Sequence, residues 1–540
     1  MTGISIKEWQ LVAFLSLIVI LITSLPLLVG FLATPENNVF LGTQRVNARD
    51  TPIYYSWIEQ VKEGHFLFKN MFTSEEQINF IFDPFWLSVG LFAKIFPLSS
   101  FVAYQLTRIF LIPIFLAIAY IFISYFFQEE KKRKICFIFL IFSSGLGGFV
   151  AMGSELGHFI LEPPPMDLWV ADAITFFTLY HTPHFIASIL FTLLIFLLVL
   201  KSFETQKIFY SVLGGMASLI YFQFHPYYVP TILGIIGAYI AVQSLRTSKI
   251  RWDLIKHYLI LILISAPAIF YHLWTLGKFY IRQQHALQNE LLTPSFYNFL
   301  LTYGFLFILS LIGIIFLLRK KGKSDKEVFL ISWWGINLLL IYAPFLNFQR
   351  KMMASLPVIF TITAIYGLFY LKNILQKKNI LQKYFFLKPW VLIIPFTLLF
   401  TFSNYYILAL DLNFYFNHDP SAFLEKTQQE AMFWMRKNTP EDSIILANYR
   451  SSNLIPAFAQ RSVYRGDWGM TADSRRKAQW VKWFFTTEND NSRAAFLKLN
   501  NLDYIFYGPK DKIFKNFIPD QTDYLENVYQ NNEVTIYKVK

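Results

Sequence analysis

The chain has 540 residues, of which 55% are hydrophobic, 19% aromatic and 15% charged, and its net charge is +13. So apolar a composition excludes an ordinary soluble globular protein and is typical of a protein that crosses a membrane many times. The positive charge does not indicate nucleic-acid binding, because Lys and Arg cluster in short loops between apolar stretches, where such charge sets membrane topology.

Apolar stretches of about 20 residues, the length that crosses a hydrocarbon core of roughly 30 Å, recur along the chain. The first, Leu11 to Leu32, is too long for the apolar part of a cleavable signal peptide, so we interpret it as a retained anchor. We predict eleven spans, near residues 10–32, 101–127, 135–152, 184–200, 208–223, 229–245, 254–274, 298–318, 328–346, 353–371 and 389–410.

Basic loops set the predicted orientation of these spans. Lys and Arg are dense at residues 131–134, 201–207, 246–256, 319–326 and 372–388. Because such loops stay in the cytoplasm, we predict a multi-pass protein of the cell membrane with its N-terminus inside and its C-terminus outside. Pro84 to Pro97 is apolar but short and carries Lys94, and a crossing there would move every later basic loop outside. We therefore interpret it as a juxtamembrane or re-entrant helix.

The remaining connections then face outward and are rich in polar residues. They are 33–83, 153–183, 225–228, 276–298, 347–351 and the tail after residue 410. The tail is charged and mixed in composition, with strand-like runs at 443–447, 503–507 and 534–539 and a helix-like run at 474–485. We predict an α-helical polytopic membrane domain over 1–410, with juxtamembrane helices in the first outward loop, and a small α/β domain outside the membrane over 411–540.

Asp50 is the candidate residue of the first outward loop. It stands in Arg49-Asp50-Thr51-Pro52, just before a helix-like run that starts at Ile53. In one interpretation Asp50 or Thr51 caps that helix, with Pro52 in its first turn. In the other, Asp50 is a general base that takes the proton of an attacking hydroxyl group.

The second outward loop carries acidic residues but no Lys or Arg. Its acids are Glu155, Glu162, Asp167 and Asp172, and a rigid Pro163-Pro164-Pro165 run precedes Asp167. We predict Asp172 or Asp167 as the partner of Asp50. Two carboxylates could hold the acceptor, or could bind a divalent cation through oxygen ligands, and the residues alone leave both roles open.

Histidines stand at the outward ends of two predicted spans. His181 and His184 have a spacing that occurs in zinc sites, but no Cys or third His follows at ligand spacing. We therefore predict no bound metal here and assign both to hydrogen bonding or to a phosphate oxygen. His225 occupies an equivalent place at the end of another span.

Gln349-Arg350-Lys351 forms a short basic corner on the face where positive charge is otherwise sparse. Its cations either anchor the chain at the membrane interface or clamp a phosphate, for which Arg offers a planar fork and Lys a point charge. We favour the clamp.

Arg108 is a charge well inside a predicted span, where charged residues are usually functional. Alternatively, Arg108 has a structural role and pairs with an acidic residue of the early loop.

These features together resemble the C-type membrane glycosyltransferases, particularly bacterial relatives of the protein O-mannosyltransferases and the aminoarabinose-lipid A transferases. The resemblance covers about the first 410 residues. It is carried by Asp50 with Tyr54-Tyr55 and Glu63-Gly64, the Pro84-to-Pro97 segment, Arg108, Asp167, Asp172, Pro183-His184-Phe185, His225-Pro226-Tyr227 and Phe348-Gln349-Arg350-Lys351.

The resemblance implies an inverting transfer of a sugar from a polyprenyl-phosphate donor to an acceptor outside the cytoplasm, which is a glycan, a lipid or a protein. It implies that Asp50 is the base, and that Arg350, Lys351 and Arg108, with Gln349 beside them, hold the donor phosphate. His184, His181, His225 and Tyr54 would line the substrate cavity. Arg49-Asp50 replaces the paired Asp-Glu of the protein mannosyltransferases, which argues against a protein acceptor.

Two other classes of function compete with a transferase. One is a transporter or flippase for lipid-linked glycans, and the other is a non-catalytic subunit of their assembly. A transporter usually carries ionisable groups along its path, and apart from Arg108 the predicted spans are almost free of charge. The transferase is therefore the favoured reading.

Overall fold

The computed structural model of the protein describes residues 3–155, 161–377, 389–513 and 516–540. Among these residues, eight helices are long and apolar enough to cross a membrane. The helical, multi-pass architecture expected from the composition is confirmed, and so is a small region of β-sheet near the C-terminus.

The first half of the chain is almost entirely helical. It contains α1 (Ile6–Leu32), β1 (Asn38–Phe40), α2 (Thr51–Glu63), α3 (Pro84–Ile95), α4 (Ser100–Phe126), α5 (Glu130–Phe142), α6 (Gly147–Glu155), α7 (Thr175–His181), α8 (Pro183–Thr205), α9 (Ile208–Phe224) and α10 (Val229–Thr247).

The second half adds further apolar helices and then a sheet. It contains α11 (Trp252–Lys278), α12 (Tyr280–Gln288), α13 (Phe296–Arg319), α14 (Asp325–Leu340), α15 (Leu356–Lys377), α16 (Pro389–Phe416), β2 (Phe423–Glu425), α17 (Lys426–Asn438), β3 (Ile444–Leu446), α18 (Tyr449–Phe458), β4 (Ser462–Val463), α19 (Ser474–Thr486), α20 (Asp490–Leu499), β5 (Tyr504–Tyr507), β6 (Leu525–Gln530) and β7 (Thr535–Val539).

Eight of the predicted spans coincide with the eight long apolar helices. The predicted spans at 208–223 and 328–346 form shorter helices, α9 with 17 residues and α14 with 16, and the last predicted span falls within α16. Residues 378–388 of the final basic run lie outside the described residues. Helix α3 has 12 residues, or about 18 Å, well short of a hydrocarbon core of roughly 30 Å.

The chain divides into two compact units. The first unit comprises Met1–Pro26, Thr107–His272 and Leu291–Asp411, and the second comprises Leu27–Leu106, Leu273–Glu290 and Leu412–Lys540. The first unit therefore holds most of the apolar helices. The second combines the early loop with the C-terminal tail.

In the first unit, close helix packing and a buried ion pair fix the scaffold. A Cβ atom on Gly313 of α13 would lie 1.9 Å from the backbone oxygen of Thr363, and one on Gly367 of α15 would lie 2.1 Å from that of Leu309. Only glycine permits so close an approach of the two helices. Elsewhere in the unit the buried carboxylate of Glu8 accepts two hydrogen bonds from Arg133, at 2.7 and 2.9 Å.

In the second unit, the sheet has the strand order β4-β3-β5-β7-β6. Strands β4, β3 and β5 are parallel, whereas β7 runs antiparallel to β5 and β6. Alternate residues of β3 face opposite sides: Ile445 packs with α17 and α18, and Leu446 packs with α19 and α20. Helices on both faces make this an α/β layer, as expected for the tail.

The early loop is part of the same second unit. Strand β1 pairs antiparallel with β2, and α2 packs its buried Tyr55 and Ile58 against Ala457 of α18. Arg436 of α17 lies 3.1 Å from the Glu59 carboxylate and 2.6 Å from that of Glu63. Residues that are far apart in the sequence thus form one core.

The stability of the second unit depends on pH, because this unit contains a buried carboxylic acid. Asp511 follows β5, accepts hydrogen bonds from the Gly508 N–H at 3.0 Å and the Asn448 amide at 2.8 Å, and keeps its Oδ1 buried without a partner. Burial raises the pKa of Asp511 to about 7, against about 3.9 in an unfolded chain.

Because the folded state favours the protonated acid, Asp511 should lower stability as pH rises from about 4 to about 7. We expect the Asp511→Asn variant to lose this dependence and to unfold at a higher temperature than the wild type at pH 8. The measurement is the thermal midpoint of the purified protein between pH 5 and 8, with exposed Asp523→Asn as the control. Parallel pH profiles for wild type and Asp511→Asn would contradict the assignment.

Candidate functional site

The acidic segment between α6 and α8 is held in place by α13. The Asn298 side chain donates hydrogen bonds to the carbonyls of Pro163, at 2.8 Å, and Pro164, at 3.1 Å. The Met166 N–H donates to the Thr302 hydroxyl at 2.9 Å. Proline restricts the backbone of this segment, and these bonds tie it to a helix, so the side chains that follow have fixed positions.

Asp167 caps a helix. It is fully buried, its Oδ2 accepts a hydrogen bond from the Gly147 N–H at 3.2 Å, and a Cβ on Gly147 would lie 2.2 Å from its Oδ1. A carboxylate at the first residue of α6 complements the positive end of the helix, although burial raises the pKa of Asp167 to about 7. The contacts of Asp167 with Gly147 indicate a structural role.

Asp172 lies among cations. Its Oδ2 is 3.5 Å from the Lys351 Nζ, which is long for a charged hydrogen bond, and its Oδ1 is buried without a partner. Burial raises the pKa of Asp172, and the charge of Lys351 opposes that rise. The structure therefore brings together two residues that the sequence analysis had selected separately.

Arg350 and Lys351 both rest on aromatic rings. The Arg350 guanidinium carbon lies 4.6 Å from the centre of a Trp169 ring, and the Lys351 Nζ lies 4.5 Å from the centre of the Phe185 ring. A ring face attracts a cation through its quadrupole and leaves the hydrogen-bond donors of that cation to other groups. The Arg350 Nε is buried and has no hydrogen-bond partner.

Gln349 supports the backbone of this basic corner. Its side-chain oxygen accepts from the Thr293 N–H at 3.1 Å, and its amide donates to the Ala343 carbonyl at 2.9 Å. Because both ends of the side chain are engaged by backbone groups, Gln349 positions the corner in this structure. The Arg350 N–H also donates to the Leu291 carbonyl, at 2.8 Å.

The three predicted histidines are buried in the first unit. The rings of His184 and His225 have their centres 5.1 Å apart, and a ring nitrogen of His225 bonds to the Ser188 hydroxyl. Burial, with a contribution from the Lys351 charge, lowers the pKa of His181 to about 3, so this ring is neutral near pH 7. In the described part of the chain no group of three His, Cys, Asp or Glu is arranged to hold a metal ion.

Arg108 is fully buried and ties three helices of the first unit together. Its guanidinium donates to the hydroxyls of Thr23 at 2.9 Å and Ser24 at 3.0 Å, both on α1, and to the carbonyl of Leu179 on α7 at 3.3 Å. These bonds give Arg108 a structural task within the first unit, while its pairing with an acid of the early loop and its contact with a donor phosphate stay predictions.

Asp50 and Tyr54 belong to the second unit. Asp50 is exposed and immediately precedes α2, but its side chain makes no capping hydrogen bond to that helix. The Thr51 hydroxyl donates to the Asn47 carbonyl at 2.9 Å. Tyr54 stacks on Trp86 with ring centres 4.4 Å apart. Asp50 therefore stands at the N-cap position with Pro52 in the first turn, as predicted, but without a capping bond from its side chain, and Tyr54 serves an aromatic core.

Sequence reasoning missed aromatic residues that complete the cluster. Trp169 carries Arg350, and the buried Tyr228 hydroxyl, which has no hydrogen-bond partner, lies beside the Asp172 carboxyl. The Tyr180 hydroxyl donates to the buried Asp411 carboxylate. Tyr228 follows the quoted His225-Pro226-Tyr227 by one residue, and Trp169 lies in the quoted loop, so proximity in sequence was the available signal.

Comparison with known proteins identifies the fold. No protein family and no curated protein matches the chain. Among solved structures, the oligosaccharyltransferase of Archaeoglobus fulgidus with a tethered acceptor peptide aligns over 96% of this chain and 74% of its own, with 14% identity and a TM-score of 0.54. Its complex with an inhibitory peptide and a dolichol-phosphate aligns over 94% and 72%, with 13% identity and a TM-score of 0.52.

A mycobacterial arabinofuranosyltransferase, AftD, aligns over 96% of this chain and 41% of its own, with 11% identity and a TM-score of 0.51. The chain thus has the fold of C-type membrane glycosyltransferases, and the resemblance expected from its motifs is confirmed at that level. At such low identity the comparison establishes the fold, and residue roles rest on the geometry of this chain.

Arg108 offers a test of its structural role. We expect Arg108→Met to lower the thermal midpoint strongly, because the Leu179 carbonyl would be left buried without its donor, at a cost of about 1–3 kcal/mol, and three helix contacts would be lost. The control is exposed Arg319→Met, which should change the midpoint little. An unchanged midpoint in Arg108→Met would contradict the structural assignment and favour a direct role in binding.

Proposed function

We propose that the protein is a glycosyltransferase that moves a sugar from a polyprenyl-phosphate donor to an acceptor on the outer side of the cell membrane, with inversion at the sugar carbon. The observation that supports this most is the pair Arg350 and Lys351, half-buried on ring faces, for which the described residues provide one carboxylate within salt-bridge distance, that of Asp172. A cluster with this charge balance suits an anion.

A lipid phosphate matches the unused hydrogen-bonding capacity of the cluster. The Arg350 Nε and the Tyr228 hydroxyl are buried without partners, and buried donors of this kind are normally satisfied by a ligand or by water. Arg binds phosphate through a planar fork and Lys through a point charge. The archaeal enzyme with the same fold was solved with a dolichol-phosphate, which agrees with a lipid-phosphate donor here.

In the proposed reaction an acceptor hydroxyl attacks the sugar carbon while Asp50 takes its proton. The bond between that carbon and the donor phosphate breaks with its electron pair, so the polyprenyl phosphate leaves with added negative charge. Arg350 and Lys351 stabilise that charge as it develops. One displacement inverts the configuration of the carbon, and the protein supplies positioning and electrostatics throughout.

A divalent cation at the acidic loop is a separate proposal. Asp167 and Asp172 each keep one buried carboxylate oxygen without a hydrogen-bond partner, and divalent cations take such oxygens as ligands, although no group of three His, Cys, Asp or Glu among the described residues is arranged to hold a metal ion. The archaeal oligosaccharyltransferase has been solved with zinc and sulfate. Transfer measured with and without EDTA therefore decides whether this chain uses a cation.

The Asp50→Asn variant tests the base. We expect sugar transfer to fall by about 10² to 10⁴, the usual contribution of general base catalysis, with the thermal midpoint and the affinity for undecaprenyl phosphate unchanged. The measurement is incorporation of radiolabelled sugar from a panel of polyprenyl-phosphate donors in membranes that contain the full-length protein.

A matched control for Asp50 lies in the same loop. Asp83 precedes α3 and does cap it, since its Oδ1 accepts from the N–H groups of Phe85 and Trp86 at 3.0 Å. Asp83→Ala should cost about 0.5–2 kcal/mol of stability and keep transfer per folded molecule. Transfer that is unaffected by Asp50→Asn would overturn the base assignment, and lipid-linked glycan movement without transfer would favour the transporter.

The cation pair gives a second prediction. Lys351→Gln and Arg350→Gln should each weaken the binding of undecaprenyl phosphate about 10- to 100-fold, because a hydrogen bond to a charged group contributes about 1.5–3 kcal/mol. Binding to the purified protein in nanodiscs is the measurement, and exposed Lys321→Gln is the control. Wild-type affinity in both variants would contradict the clamp.

A further inference from the structure

Trp169 is the principal support of the Arg350 guanidinium. Its ring lies 4.6 Å from the guanidinium carbon, while the Arg350 Nε is buried without a hydrogen-bond partner. In the described part of the chain no carboxylate lies within salt-bridge distance of Arg350. The Asp172 carboxylate is paired with Lys351 instead. The contact with the Trp169 ring is therefore the direct side-chain contact of the guanidinium, while the Asp172 charge acts on it from a greater distance.

The position of Trp169 is itself fixed by its own loop. Its Nε1 donates a hydrogen bond to the Pro164 carbonyl at 2.9 Å. The ring is thereby held at both ends, by its backbone attachment and by its indole N–H. Two χ angles are the only freedom of a tryptophan side chain, so a single hydrogen bond suffices to select its orientation.

Asn298 holds the same proline loop from α13. Its amide donates to the carbonyls of Pro163 and Pro164, at 2.8 and 3.1 Å, so the Pro164 carbonyl accepts from both Asn298 and Trp169. Asn298 is buried, where an unmade hydrogen bond is costly. A continuous path of contacts thus leads from α13 through the proline loop and the indole ring to Arg350.

We propose that Trp169 is a positioning residue that presets Arg350 for the donor phosphate, and that Asn298 acts through Trp169. The inference rests on the proposed function of Arg350. A guanidinium held over a ring face by a cation–π contact keeps its N–H groups available to another partner, so a phosphate meets a fork that is already in place. Without the ring, Arg350 must be ordered when the lipid phosphate binds, and that ordering weakens affinity.

A double-mutant cycle tests this, with undecaprenyl phosphate as the probe and the full-length protein in nanodiscs. We expect Trp169→Ala to raise the dissociation constant about 3- to 30-fold, the range of a cation–π contact, and Trp169→Phe to restore part of the affinity, because it keeps a ring but loses the indole N–H bond to Pro164. In an Arg350→Gln background, Trp169→Ala should add little, since the residue through which it acts is gone.

A second tryptophan provides the matched control. Trp334 donates its indole N–H to the Ser310 hydroxyl at 3.0 Å and packs beside Phe307. Trp334→Ala should lower the thermal midpoint and leave the affinity for undecaprenyl phosphate unchanged. Asn298→Ala should weaken affinity in the direction of Trp169→Ala, and this variant carries the test if Trp169→Ala does not fold.

The outcomes separate the two proposals. If Arg350→Gln binds undecaprenyl phosphate like the wild type, Arg350 does not hold the phosphate and the positioning role of Trp169 fails; if Lys351→Gln also binds like the wild type, the phosphate clamp fails as well. If Arg350→Gln binds weakly but Trp169→Ala costs the same factor in both backgrounds, the clamp stands and the positioning inference is overturned. A large effect in the wild type that vanishes in Arg350→Gln supports both.

Discussion

The burial of two adjacent cations, Arg350 and Lys351, is the constraint on which the candidate site depends. A charge taken from water is costly unless other groups compensate it. Here the two positive charges are compensated incompletely, because two ring faces and one carboxylate are in contact with them. This arrangement does not favour the stability of the fold. It does favour the binding of an anionic ligand, since the cations are already in place and the protein needs no reorganisation when the negative charge arrives.

The scaffold of the first unit explains how this arrangement is kept. Helix α13 carries Asn298 and Thr302, which fix the acidic loop, and its Gly313 allows direct backbone contact with α15. Arg350 and Lys351 lie just before α15. One helix therefore links the loop that supplies Trp169 and Asp172 to the corner that supplies the cations, while the second ring, that of Phe185, lies on α8. Small displacements along α13 would separate them.

Hydropathy and charge predicted the long helices and the C-terminal strands, because each depends on local sequence. The contact between Asp172 and Lys351 was not predicted, since the two residues were selected separately. The sequence did not reveal that β1 pairs with β2 and that α2 packs on α18, since contacts between segments almost 400 residues apart leave no periodic signal. It also did not separate the roles of the acids. Whether Asp167 meets the Gly147 N–H depends on how the chain folds back.

The local sequence does explain why Asp50 differs from Asp83. A capping side chain accepts from the second or third N–H of the helix that follows it. In Asp83-Pro84 the proline occupies the first position, and the next two N–H groups bind the carboxylate. In Asp50-Thr51-Pro52 the proline occupies the second position and removes that donor, and the Asp50 backbone is already helical. The shift of one residue therefore accounts for the capping bonds of Asp83 and for the lack of a capping bond from Asp50 to α2.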